Sequence, residues 1–196
     1  MGLSIHYSGS FKNDASLSKM IEEVKDIAEV YKWRFNIYET EFSKNAPSKT
    51  DYDKNIYGIS FTPTNCETIS LCFLSNGRMS SAMHLKLWAD STNKTEQEYL
   101  YMISVKTQYA GAQTHMLVIH LLKHLSKKYF QNFTVNDEGQ YWETGDEKLL
   151  QETFERYTDL LNSVSTALEI FPVGDGESIE NYLERVLKQV HSKKNQ

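Results

Sequence analysis

The order in which hydrophobic periods follow one another along the chain constrains its fold more than any other feature. Over residues 16–32, Leu17, Met20, Ile21, Val24, Ile27, Ala28 and Tyr31 recur at helical spacing, while Glu22, Glu23, Lys25 and Asp26 fall outside that stripe. A short alternating run at 3–9 precedes this helix, with Leu3, Ile5 and Tyr7 set against Ser4, His6 and Ser8. From 34 to 109 the period drops to two. That spacing predicts strands at 34–42, 56–62, 68–74, 79–88 and 99–109, separated by polar loops at 43–55 and 89–97. Asn76-Gly77 between two of these runs predicts a hairpin with a type I′ turn, because that pair tolerates the positive φ angles the turn needs.

Beyond 110 the helical period returns. It predicts a helix over 112–130 and then a small hairpin, 133–136 with 140–143, turned by Asp137-Glu138-Gly139. A third helix runs to about 169 on Leu150, Phe154, Tyr157, Leu161, Val164 and Leu168. A last helix, 177–191, carries Ile179, Leu183, Val186 and Val190. The short Pro/Gly connector at 171–176 predicts that these two helices lie antiparallel. Segregation of strands from helices implies an α+β fold: a single antiparallel-rich sheet of about six or seven strands, helices packed on one face, and a C-terminal antiparallel helical hairpin. No composition break divides the chain, so one domain over 1–196 is expected, with 143–191 as its helical hairpin. The regular seam of the third helix also fits a homodimer formed helix to helix.

Composition narrows the function classes. The chain has 196 residues, 40% hydrophobic and 24% charged, as a folded protein requires. Its formal charge of −5 disfavours a nucleic-acid module on Lys123, Lys127 and Lys128, since phosphate neutralisation supplies most of the affinity in that class. Two cysteines make no disulfide framework. The first residues lack the pattern of an export signal, and no apolar run approaches the ~20 residues that span a bilayer. The expectation is a cytoplasmic protein with no membrane partner.

No stretch reaches the specificity of a catalytic, nucleotide or metal signature, and neither a metal nor a cofactor is expected. His120 and His124 share a helix face, but lysines flank them and the glutamate of a zincin motif is absent, so they read as a basic helix face. Cys66 lies in a turn, and the sequence shows neither a histidine beside it in space nor a depressed thiol pKa, while Gly174-Asp175-Gly176 follows a helix where a phosphate loop follows a strand.

Two constellations remain. If the apolar residues of the central strands face the helices, alternation collects Arg78, His84, Lys86, Trp88 and Lys106 on the opposite face with Ser60, Ser70, Ser80 and other hydroxyls. That face suits a protein partner or a small anionic ligand. The second is an acidic cluster over 137–147, with Asp137, Glu138, Glu143 and Asp146, whose carboxylates can act as acid and base or hold a divalent metal. The first makes the chain a non-enzymatic binding domain, which is the reading favoured here. The alternative is a hydrolase acting through the acidic cluster with a divalent metal.

Overall fold

A computed structural model describes residues 2–43, 51–174 and 176–194, with side chains as far as 188. The part of the expected 43–55 loop that covers 44–50, with its Pro47, lies outside the described residues, as do Asp175 of the connector and the Val190 side chain. The structure is α+β, and its strands form two sheets where one was expected.

Strand β1 (Ser4–Phe11) is the centre of the first sheet. It buries Ile5, Tyr7 and Phe11, and Leu3 just before it is buried too. It pairs antiparallel with β6 (Ile103–Lys106) on one side and β7 (Phe130–Asp137) on the other. The second sheet is an antiparallel meander of β2 (Arg34–Ile37), β3 (Tyr57–Thr62), β4 (Ile69–Phe73) and the two-residue β5 (Met79–Ser80). The sheets meet where β6 stops. There the far half of β1 takes a single bridge, Ser10 to Arg78, and Phe11 N–H donates to Gly77 O at 2.8 Å. The Tyr7 hydroxyl donates to Ser70 O at 2.9 Å and accepts from Ser70 N–H at 3.1 Å, pinning β1 to β4.

Helix α1 (Leu17–Val30) buries Leu17, Met20, Ile21, Val24 and Ala28 of the expected stripe, while Ile27 is half-buried and Tyr31 is exposed, and Ser16 caps it through Lys19 N–H. Helix α4 (Gly111–Tyr129) buries Met116, Val118, Ile119, Leu122 and Leu125. Gly58 in β3 has φ +124°, and a Cβ there would lie 2.4 Å from Leu71 O, so only glycine allows β3 and β4 to approach this closely.

Three departures from the sequence expectations shape the site. Residues 79–88 form no long strand. After β5 the chain becomes helix α2 (Ala82–Trp88), capped by Ser81, whose side chain accepts from His84 N–H at 3.1 Å. Helix α3 (Lys94–Tyr99) follows, capped by Asn93, and takes in 94–97 of the expected 89–97 loop. The run read as a strand over 99–109 contributes only β6, then a 3-10 turn at Gln108–Ala110. Two helices thus interrupt the expected sheet, which explains its division in two. The hairpin at Asn76-Gly77 does form, but only Gly77 takes positive φ, at 80°. Gly77 N–H donates to Leu74 O and Leu74 N–H to Arg78 O, so the loop has three residues with glycine in the left-handed position, not a type I′ turn. The second expected hairpin is absent: β7 pairs with β1, and residues 141–144 form a helical turn, α5 (Tyr141–Thr144).

The chain gathers into two units, Met1–Leu150 and Gln151–Gln196. Everything above belongs to the first. Helix α6 (Glu147–Ile170) starts there, capped by Asp146, and continues into the second. In the second unit, helix α7 (Ile179–Lys194) returns against α6: Ala167 and Val186 are buried together, with Val164, Phe171 and Tyr182 against them. The Tyr182 hydroxyl reaches Leu168 O at 3.2 Å, so the two helices run antiparallel. Among the described residues no helix is long and apolar enough to cross a membrane.

Candidate functional site

The expected polar sheet face is not an open surface. Ser60, Ser70, Cys72 and Ser80 are all buried. Ser70 Oγ donates to Ser80 O and Ser80 Oγ to Leu100 O, each at 2.8 Å, so these hydroxyls satisfy the backbone and face no ligand. The cover comes from the segment read as strand: Leu85 of α2 and Tyr101 pack with Tyr38 and Tyr52 over Ile56, Cys72 and Leu74. His84, Lys86 and Trp88 therefore lie on α2. Burial lowers the His84 pKa, Lys86 is exposed, and the Trp88 ring meets Tyr99 at 5.2 Å. Lys106 is in the other sheet, where its N–H donates to Glu67 at 2.7 Å. Of the five residues expected on that face, Arg78 lines a cavity.

That cavity is an open groove of about 830 Å³. One wall is the segment 51–54, another is α3 with Lys94, Gln97 and Glu98, and Arg78 of the β4–β5 turn lies between with Leu100 and Tyr101. Two ties join segment 51–54 to the turn between α2 and α3. The Tyr52 hydroxyl donates to Ala89 O at 3.3 Å, and Lys54 pairs with Asp90. Asp53 closes the base of this wall: Ser75 Oγ accepts from its N–H at 3.0 Å, and its carboxylate takes the Tyr57 hydroxyl. Burial raises the Asp53 pKa, but the Tyr57 hydroxyl and the bonds around Asn55 outweigh it and hold the carboxyl below its usual range.

The Arg78 guanidinium lies over the Tyr101 ring, 3.2 Å from its centre, and Asn76 donates to the Tyr101 hydroxyl at 3.4 Å. Tyr101 is thus fixed by its neighbours, and its ring fixes the arginine. Among the described residues neither Arg78 nor Lys94 pairs with a carboxylate. Tyr52, Lys94, Glu98 and Tyr101 were not singled out from the sequence. Their segments were read as loop and strand, and nothing local brings residue 52 beside residue 97.

The acidic cluster is taken apart by the fold. Asp137 is buried: one oxygen accepts from Gly139 N–H and meets His115 Nε2 at 2.9 Å, and the other accepts from Tyr141 and Trp142 N–H. Burial raises its pKa, and these partners more than reverse the effect. Glu138 instead takes Ser4 N–H at 2.8 Å and His6 at 3.2 Å. Glu143 is exposed, and Asp146 caps α6. With Asp137 fully engaged, the four cannot act as one acid–base or metal site. Among the described residues no three His, Cys, Asp or Glu gather as metal ligands would.

His115 Nδ1 also lies 2.7 Å from Thr107 Oγ1, which completes a hydroxyl–imidazole–carboxylate line. The order resembles a nucleophilic relay, but Thr107 and His115 are wholly buried, so no substrate reaches the hydroxyl. The line joins the end of β6, α4 and the β7–α5 turn. It was missed in the sequence although the signal was there: His115 shares the buried helix face with Ile119 and Leu122.

His120 and His124 do not converge. His120 meets the Tyr141 hydroxyl at 3.2 Å, while His124 and Lys128 both bind Glu23 of α1. Burial raises the Glu23 pKa, but Lys128, His124 and Tyr129 pull it down to about 2. Burial pushes the Cys66 thiol up to about 11, the opposite of an activated nucleophile. Compared with protein-family models, curated proteins and solved structures, the chain matches none, so the groove is read from its geometry alone.

Proposed function

We propose that the larger unit is a non-enzymatic binding module whose groove takes an anionic group at Arg78. The observation that carries this reading is the stacked, unpaired guanidinium over Tyr101, with Lys94 on the same groove. An arginine already laid on a ring loses little freedom when it binds, and its planar fork matches a carboxylate or a phosphate. The buried or committed hydroxyls, thiols and carboxylates elsewhere in this unit support binding over turnover.

The test is titration of two probes, fluorescein-labelled hexaglutamate and inorganic phosphate, against the chain and its Arg78→Ala variant. A charge-assisted pair contributes roughly 1.5–3 kcal/mol, which corresponds to a loss of about tenfold or more in affinity. Binding of at least one probe that weakens by that factor in Arg78→Ala, and with added salt, supports the reading. Equal binding by both proteins overturns it, as does failure of every acid-bearing probe, mixed-charge peptides included, to bind.

A further inference from the structure

The groove carries more than its cations, and the charge balance points to a ligand class. Lys54, Arg78 and Lys94 line it together with Asp51 and Glu98. Asp90 already pairs with Lys54. Among the described residues Glu98 pairs with no cation, so the groove offers a free acid beside the free Arg78 and Lys94. A polyphosphate or an all-acid chain would set its charges against Glu98, inside a protein whose formal charge is already −5. A ligand carrying both signs satisfies Arg78 and Glu98 together. The aromatic lining fits the same ligand: tyrosines supply contact area at low entropy cost and are enriched where proteins bind polypeptides.

Resting on the anion-binding reading above, we infer that the groove's ligand is an extended polypeptide segment bearing both an acidic and a basic side chain. The acid meets Arg78 over Tyr101, the base meets Glu98 on α3, and the backbone between them runs along Tyr52. Electrostatic complementarity of this kind sets the register of a bound segment and rejects partners of one sign.

The experiment selects a random 12-residue displayed peptide library on the 196-residue chain, with counter-selection on Arg78→Ala. Enriched peptides are then measured by anisotropy on the wild type, Arg78→Ala, Arg78→Lys and Glu98→Gln. These side chains are exposed, and circular dichroism verifies that each variant folds. The expected result is enrichment of peptides with an Asp or Glu and a Lys or Arg a few positions apart. Arg78→Ala weakens them by about tenfold and Arg78→Lys by less, since the fork is lost but the charge is kept. Glu98→Gln weakens them too, while it strengthens hexaglutamate.

Enriched peptides that are acidic only, or indifferent to Glu98→Gln, overturn the inference and leave the anion-binding reading standing if they still depend on Arg78. So does Arg78-dependent binding of inorganic phosphate with no peptide enriched. Binding that ignores Arg78, or no binding of any probe, overturns both.

Discussion

At the scale of single residues, Asp137 shows how a charge with functional promise becomes structural. Its carboxylate closes the β7–α5 turn by accepting three backbone N–H groups and holds His115 at 2.9 Å. These partners depress its pKa below the ordinary 3.8 against the opposing effect of burial. A depressed carboxyl contributes stability that is fully present above the ordinary value and is lost as pH falls through the folded one. Acid unfolding therefore draws on Asp137 below about pH 4. Asp137→Asn keeps the shape but turns an amide NH₂ against backbone donors whichever way it flips. The expected cost at neutral pH is about 3 kcal/mol, read from urea denaturation, together with a flatter loss of stability between pH 4 and 2. A cost under about 1 kcal/mol would show that the turn does not depend on the charge.

At the scale of elements, the pattern was legible wherever one period persisted over several turns or a whole strand. Helices α1, α4, α6 and α7 and strands β3 and β4 lie close to where periodicity sets them. It misled at 79–109, and particular residues show why. Met83, Leu85 and Leu87 alternate as in a strand, yet Met83 and Leu87 are also one helical turn apart and both are exposed. Ser81 offers a cap, and no β-branched residue occurs from 81 to 88, so local chemistry favoured the helix. Farther on, the alternation holds within β6, where Ile103 and Val105 are buried, but fails on both sides of it, where Leu100 is buried and Tyr99 and Tyr109 are exposed. Arg78 was legible as a candidate, but for a sheet face that α2 and Tyr101 cover. The rest of the groove depends on tertiary contacts that no short window records.

Neither α2 nor α3 contains a fully buried residue, and such segments open with free energies well below that of the whole fold. Hydrogen exchange should find amides 82–99 weakly protected and those of β3, β4 and α4 strongly protected. Ser81→Ala should lower protection in α2 by about 1 kcal/mol and shift the unfolding midpoint of the unit little. If global stability falls by that full amount, α2 folds as part of the core's cooperative unit.

At the scale of the whole molecule, the two units differ in how much core each encloses. Met1–Leu150 surrounds two sheets and two long helices, whereas Gln151–Gln196 is a helix pair built on Ala167 and Val186 with Val164, Phe171 and Tyr182. So small a core is marginal by itself. The pair is also held by charge: Arg185 binds Glu177 at 2.7 Å and Pro172 O at 3.0 Å, and Glu177 also accepts from Gly174 N–H. Arg185, with help from Gly174, draws the Glu177 pKa from 4.5 down to about 2. Its contribution is present above the ordinary value and fades as pH drops toward the folded one. Scanning calorimetry at neutral pH should resolve two transitions, the lower from the helix pair, because chains with separable units depart from two-state unfolding. Glu177→Gln should lower the first transition by a few degrees and leave the second in place. Acid should reproduce that shift in the unsubstituted chain between about pH 4.5 and 2. One transition, or two that move together on Glu177→Gln, would mean that the helix pair and the sheet unit unfold as one cooperative body.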